Sequence, residues 1–158
     1  MQLIMEKTAI SAMYHLVQEG EKNSGVFLEE DLQAFIVYAL LRNIRNNALK
    51  DFVFAEELLS AIQSMSIKRL EVILDHALIY AGMYPKRVKK AGLSKTYYCD
   101  IGISASEHLS VYHAKLRSSY EEVYRKIAKQ FDELVYVLKS LIIPDTVQQY
   151  VHVQLRRY

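Results

Sequence analysis

SYEEVYRKIAKQFDELVYVLKSLI, residues 119–142, carries the strongest periodic signal in the chain. Tyr120, Tyr124, Ile127, Phe131, Leu134, Leu138 and Leu141 recur at alternating spacings of four and three. Side chains so spaced share one face of an α-helix, and three heptads of them make a seam that other helices must cover. Ser119-x-x-Glu122 is a capping-box pattern and predicts the start. Pro144 predicts the stop. One helix of about 36 Å fits this span at roughly 1.5 Å per residue. Val123, Ala128, Val135 and Ile142 widen the stripe beyond a two-stranded seam, so the helix is expected in a bundle rather than an isolated coiled coil.

The same rhythm extends outward. Leu3 to Gln18 reads as a first helix, with Ile10, Met13 and Val17 on one face. Leu28 to Ile44 reads as a second, with Glu29, Glu30 and Asp31 at its start and Arg42 and Arg45 at its end, which complements the helix dipole. Its centre, AFIVYALL, is apolar on all sides and predicts a central position. A short helix is expected over Val53 to Gln63. Another begins near Ser66, with Leu70, Ile73, Leu74, Ala77, Leu78 and Ala81 on one face, and ends before Pro85. Val72 and Ile79 lie opposite, so cover on both sides is expected. Ser94 is placed to cap a fifth helix running to about Arg117, with a seam of Tyr98, Ile101, Ala105, Leu109, Tyr112 and Leu116. Gly102 inside that helix, near Ala105 and Ser106, predicts a close approach by a neighbouring helix. Asp145 opens a last amphipathic helix over residues 145–157, with Val147, Tyr150, Val151 and Leu155. The breaks are Gly20 to Gly25 (GEKNSG), a loop composition, and Gly82 to Ser94. The expected fold is an all-α, single-domain helical bundle of about six or seven helices over residues 1–158, with its core at about 28–142.

Composition agrees. An apolar content of 51% over 158 residues argues against disorder, and five glycines with two prolines are too few for a turn-rich β-sandwich. The longest apolar run, Ala34 to Leu41, falls far short of the roughly 18 residues a membrane span needs. MQLIMEKTAI has no basic n-region and is not expected to act as a secretory signal. A single cysteine, Cys99, excludes an internal disulfide and a multi-cysteine metal site, and a reducing cytoplasm is the expected location. Net charge is +2, so nothing in the totals demands nucleic acid or an anionic membrane.

Catalytic and cofactor motifs are missing from the sequence. There is no Glu-x-x-His for a di-iron bundle, no His-Glu-x-x-His for zinc, and no glycine-rich phosphate loop. Asp75-His76 and Glu107-His108 are adjacent pairs whose members point about 100° apart on a helix, so neither pair chelates one ion alone. His108, Tyr112 and His113 place a general base on one helix, but no strained nucleophile turn accompanies them. Cys99 reads as a buried structural thiol. No metal and no cofactor are expected.

Two features remain as candidate sites. Asp75, His76, Tyr97 and Tyr98 are the candidate ligand-binding residues, with Asp75 read as pinning the Tyr84–Tyr98 crossover onto the bundle, since a buried aspartate must be paired; Asp75→Asn is then expected to lower the melting temperature. Lys86, Arg87, Lys89, Lys90 and Lys95 form a basic stretch flanked by Tyr80, Tyr84, Tyr97 and Tyr98. Lysines interleaved with aromatics can hold single-stranded nucleic acid or an anionic partner, while the plainer reading is a solvated loop anchored by its tyrosines. The small net charge weighs against nucleic acid.

Asp75, Ala81-Gly82, Tyr84-Pro85, Tyr97-Tyr98, Gly102 and Ala105, together with the run Phe35 to Leu41 and the segment Phe131 to Leu138, resemble a widespread family of uncharacterised bacterial helical proteins. That family's pattern is a helix with an aspartate, Gly-aromatic/Met-Phe-Pro, a basic stretch, Tyr-Tyr, then Gly-x-x-Ala-Tyr. The likeness covers roughly residues 28 to 140 and implies a bacterial, helical protein with no assigned activity. Tyr84 stands where Phe is usual, Ser106 where the last Tyr is usual, and Asp132 where a proline follows the aromatic. The last departure removes a break, so one long helix is expected here in place of two. The leading expectation for function is a non-enzymatic protein–protein interaction module, with a protein partner or self-association as its mode. A small-ligand or anion-binding bundle, with or without enzymatic activity, and nucleic-acid binding through Lys86–Lys95 are the alternatives.

Overall fold

A computed structural model describes residues 2–46, 54–84, 92 and 94–142. Among them are seven helices and no strand: α1 (Gln2–Ser24), α2 (Glu30–Asn46), α3 (Phe54–Gln63), α4 (Ile67–Met83), α5 (Lys95–Lys115), α6 (Tyr120–Lys129) and α7 (Phe131–Lys139). The chain is an all-α bundle, as its periodicity predicts. Tertiary contacts gather the helices into two units, one from residues 1–49 and 137–158, the other from 50–136. The expected helix at 145–157 and the start at Val53 lie outside the described residues.

In the first unit α1 packs on α2. Met13, Leu16 and Val17 are buried on α1, and Leu32, Ile36, Val37, Ala39, Leu40 and Leu41 on α2. The run AFIVYALL, apolar on all sides, is not covered on all sides, since Tyr38 is 45% exposed. The GEKNSG loop is also corrected, because α1 continues through Gly20 to Ser24. Gly20 is a contact position inside the helix: a Cβ there would lie 2.6 Å from Leu141 Cδ2 and 3.0 Å from the Val137 carbonyl oxygen. The turn comes at Gly25, with φ +73°, whose N–H donates to the Glu21 carbonyl at 2.9 Å. Glycine adopts that left-handed conformation without a Cβ penalty.

In the second unit α5 packs between α4 and α6, while α3 lies on α4 and α5. Ser66 caps α4 by accepting the Arg69 N–H at 3.3 Å. Arg69 then ties α4 to α3, through Glu57 at 2.8 Å and Ser60 Oγ at 3.0 Å. Residues Ile73 to Gly82 are all buried, so α4 is covered on most sides, with Val72 left 40% exposed. Ser94 caps α5 as its sequence predicts, accepting the Tyr97 N–H at 3.2 Å.

Gly102 makes the predicted close approach, and the neighbour is Phe131 at the start of α7. A Cβ on Gly102 would lie 2.2 Å from Phe131 Cζ, and the ring is 1% exposed. Leu116, expected on the α5 seam, is instead 64% exposed just past the end of the helix.

The long helix over 119–142 is corrected to two. α6 ends at Lys129, the backbone of Gln130 leaves the helical region at φ −111°, ψ 21°, and α7 starts at Phe131. The charges mark the break: Lys126 and Lys129 close α6, and Asp132 and Glu133 open α7. Each segment thereby satisfies its own dipole. The capping box does not form, since Ser119 is itself α-helical and makes no side-chain cap bond. Ser118 does that work, its Oγ accepting the Tyr120 N–H at 3.2 Å. Tyr120, the first residue of the expected seam, is 61% exposed.

Candidate functional site

Of the predicted ligand-binding residues, Asp75 and His76 are buried on α4, at 6% and 4% exposure, while Tyr98 is buried and Tyr97 half-buried on the first turn of α5. The tyrosines join an aromatic cluster. The Tyr98 ring stacks on Tyr80 with centroids 5.5 Å apart and meets Phe54 edge-on at 5.2 Å and Tyr97 edge-on at 5.2 Å. Tyr84 meets Tyr80 edge-on at 6.0 Å. Such ring pairs add about 0.5–1.5 kcal/mol each beyond the area they bury. The Tyr97 hydroxyl accepts the N–H of Ala55 at 3.2 Å. That N–H lies in the first turn of α3, where no intrahelical acceptor exists. This cluster therefore fastens α3 to the α4–α5 pair.

Lys86, Arg87, Lys89 and Lys90 lie outside the described residues, and Lys95 begins α5. Among the described residues no three His, Cys, Asp or Glu side chains come together as a metal set. Cys99 is buried, at 6% exposure.

The histidines of α5 separate. His108 is half-buried, with Nδ1 at 2.8 Å from the Ser104 carbonyl. His113 is 9% exposed, stacked on Tyr124 at 5.2 Å and met edge-on by Tyr120 at 5.8 Å. Both of its ring nitrogens are buried without a hydrogen bond. The Tyr124 hydroxyl donates to Glu71 at 3.3 Å.

One constellation was not legible in the sequence, and it lies around the α1–α2 loop. Glu21, in the last turn of α1, is only 5% exposed. One carboxylate oxygen accepts the Leu28 N–H at 3.0 Å, and the other accepts the Gln33 side-chain amide in a short bond. Ser24 donates its hydroxyl to the Glu21 carbonyl at 3.1 Å and accepts the Val26 N–H at 3.2 Å. The backbone on both sides of Phe27 is thus tied down, yet Phe27 itself is 78% exposed. Its ring borders an open groove of about 300 Å³, lined also by His15, Gln18, Glu19, Lys22 and Gln33. An acid in a polar stretch gives no sequence signal of burial. Only the fold of Gly25 back toward α1 brings donors to it.

Comparisons of the chain with protein-family models, with curated proteins and with solved structures yield no match. No helix among the described residues is long and apolar enough to cross a membrane.

Proposed function

We propose that this chain is a non-enzymatic helical module for protein–protein interaction, and that Phe27 is its contact residue. The carrying observation is an aromatic side chain held out to solvent by a loop whose neighbouring N–H groups are both hydrogen-bonded. Burying a phenyl ring contributes about 1.5–3 kcal/mol, which the isolated chain leaves unused at this position. Aromatic anchors on pre-ordered backbone dominate binding energy because little further ordering is needed on association. The aromatic cluster around Tyr98 supports the same reading, since its rings spend themselves on packing helices together. A bacterial source and a cytoplasmic location belong to this reading. The motif likeness supports the first and the single buried cysteine the second.

A photo-crosslinking residue placed at 27 tests the reading in cells that make the protein. A discrete crosslinked species is expected from position 27. None is expected from position 65, where Met65 is comparably exposed at 58%. Equal crosslinking from both positions, or none from either, refutes it.

A further inference from the structure

Resting on that reading, we propose that the partner seated at the Phe27 groove is a second copy of this chain, its α1 lying antiparallel across a twofold axis. The argument begins with the charge on the exposed face of α1. His15, Gln18, Glu19 and Lys22 are all exposed there and border one groove. Glu21 contributes no further free acceptor of that strength, because both its oxygens already hold protein donors. The solvated charges at the groove are therefore one acid and one base three residues apart, a pattern complementary to itself.

Twofold contacts are isologous, so any pairing made once is made twice. Laying α1 antiparallel on itself so that Glu19 faces the partner's Lys22 also puts Lys22 opposite the partner's Glu19. In the same register the C-terminal end of α1, which leads into the Phe27 loop, runs alongside the turn of the partner's α1 that carries His15. A parallel arrangement gives no such reciprocity, since Glu19 would face the partner's Glu19. The groove's volume points the same way. About 300 Å³ is at the lower limit for sites that enclose a small molecule, and suits an inserted ring. Among the described residues the most exposed aromatic ring is Phe27, at 78%.

Analytical ultracentrifugation of the full chain alone, at low salt, tests the proposal. A monomer–dimer equilibrium is expected, with Phe27→Ser weakening it about a hundredfold because two anchors are lost together. Glu19→Lys and Lys22→Glu are each expected to abolish self-association, since each creates two like-charge contacts. Mixed in equal amounts, those two variants are expected to dimerise with one another, because every contact is again between opposite charges. The double variant carrying both changes is expected to recover the homodimer. Circular dichroism of the single variants is expected to match the parent, as both side chains are exposed.

A chain that stays monomeric to 100-fold above the concentration used for crosslinking overturns the proposal. So does a dimer indifferent to all three substitutions. In either case a crosslink from position 27 to a different protein leaves the interaction-module reading standing, whereas its absence removes both.

Discussion

Replacing Gly102 by alanine tests the packing argument most sharply, because its sign should depend on one distant residue. Two effects oppose each other. Alanine is favoured over glycine inside a helix by about 0.8–1.0 kcal/mol. Against that, the new methyl would lie 2.2 Å from Cζ and 2.4 Å from Cε2 of Phe131, with Cε1 at 3.2 Å. Carbon atoms are at their optimum near 3.5–4.0 Å, so the ring has to retreat by more than an ångström. Phe131 has nowhere open to go, being 1% exposed with Leu134 and Ile127 fully buried close by in sequence. Overpacking of this kind costs about 1–3 kcal/mol. The clash is at the upper end of that range, so Gly102→Ala is expected to destabilise by about 1–2 kcal/mol net. For a chain of this length that lowers Tm by roughly 3–6 °C. In a Phe131→Leu background the obstructing ring atoms are gone, and the same substitution should stabilise by up to about 1 kcal/mol. Urea unfolding of the four variants measures the coupling, expected near 2 kcal/mol. Equal effects of Gly102→Ala in both backgrounds would refute the reasoning.

Two further outcomes are expected. His113→Phe keeps the stack on Tyr124 and removes two buried nitrogens that lack hydrogen bonds, so it should raise stability by about 1 kcal/mol; a lowered melting temperature would show that the imidazole is held by a polar contact. Met65 and Arg117 each sit in the left-handed region, φ 54° and 53°, two residues past the ends of α3 and α5. In both places the following N–H closes back to the helix, Ser66 N to the Ala61 carbonyl at 3.0 Å and Ser118 N to the His113 carbonyl at 2.9 Å. Glycine is the usual residue at such a stop, so Met65→Gly should stabilise by roughly 0.5 kcal/mol and Met65→Val should destabilise. Thermal melts of the pair check this, and a reversed order would overturn it.

The periodic pattern was a sufficient guide to helix identity. Leu70, Ile73, Leu74, Ala77, Leu78 and Ala81 are all buried on α4 as their spacing requires. Ser66 and Ser94 cap the helices they precede, because a cap is decided within four residues of chain. Gly102 announced a close approach, since a glycine inside a helix is retained against its propensity. The same logic applied to Gly20 was obscured by its polar neighbours, and there the helix runs on to Ser24. At Gln130 the apolar rhythm passes unbroken through a real helix end, and only the switch from Lys126 and Lys129 to Asp132 and Glu133 records it.

The candidate contact site was almost wholly hidden. Phe27 reads as an ordinary loop hydrophobe, and Glu21 as a solvated acid. Their roles arise because the chain reverses at Gly25 and returns the Leu28 N–H and the Gln33 amide to one carboxylate. Helix periods and caps are short-range properties, carried by residues that touch along a few turns, and the amino-acid order therefore determines them. Which ring fills the notch at Gly102, which acid is buried, and which phenylalanine is left outside depend on segments distant in sequence meeting in space, and that only the tertiary structure decides.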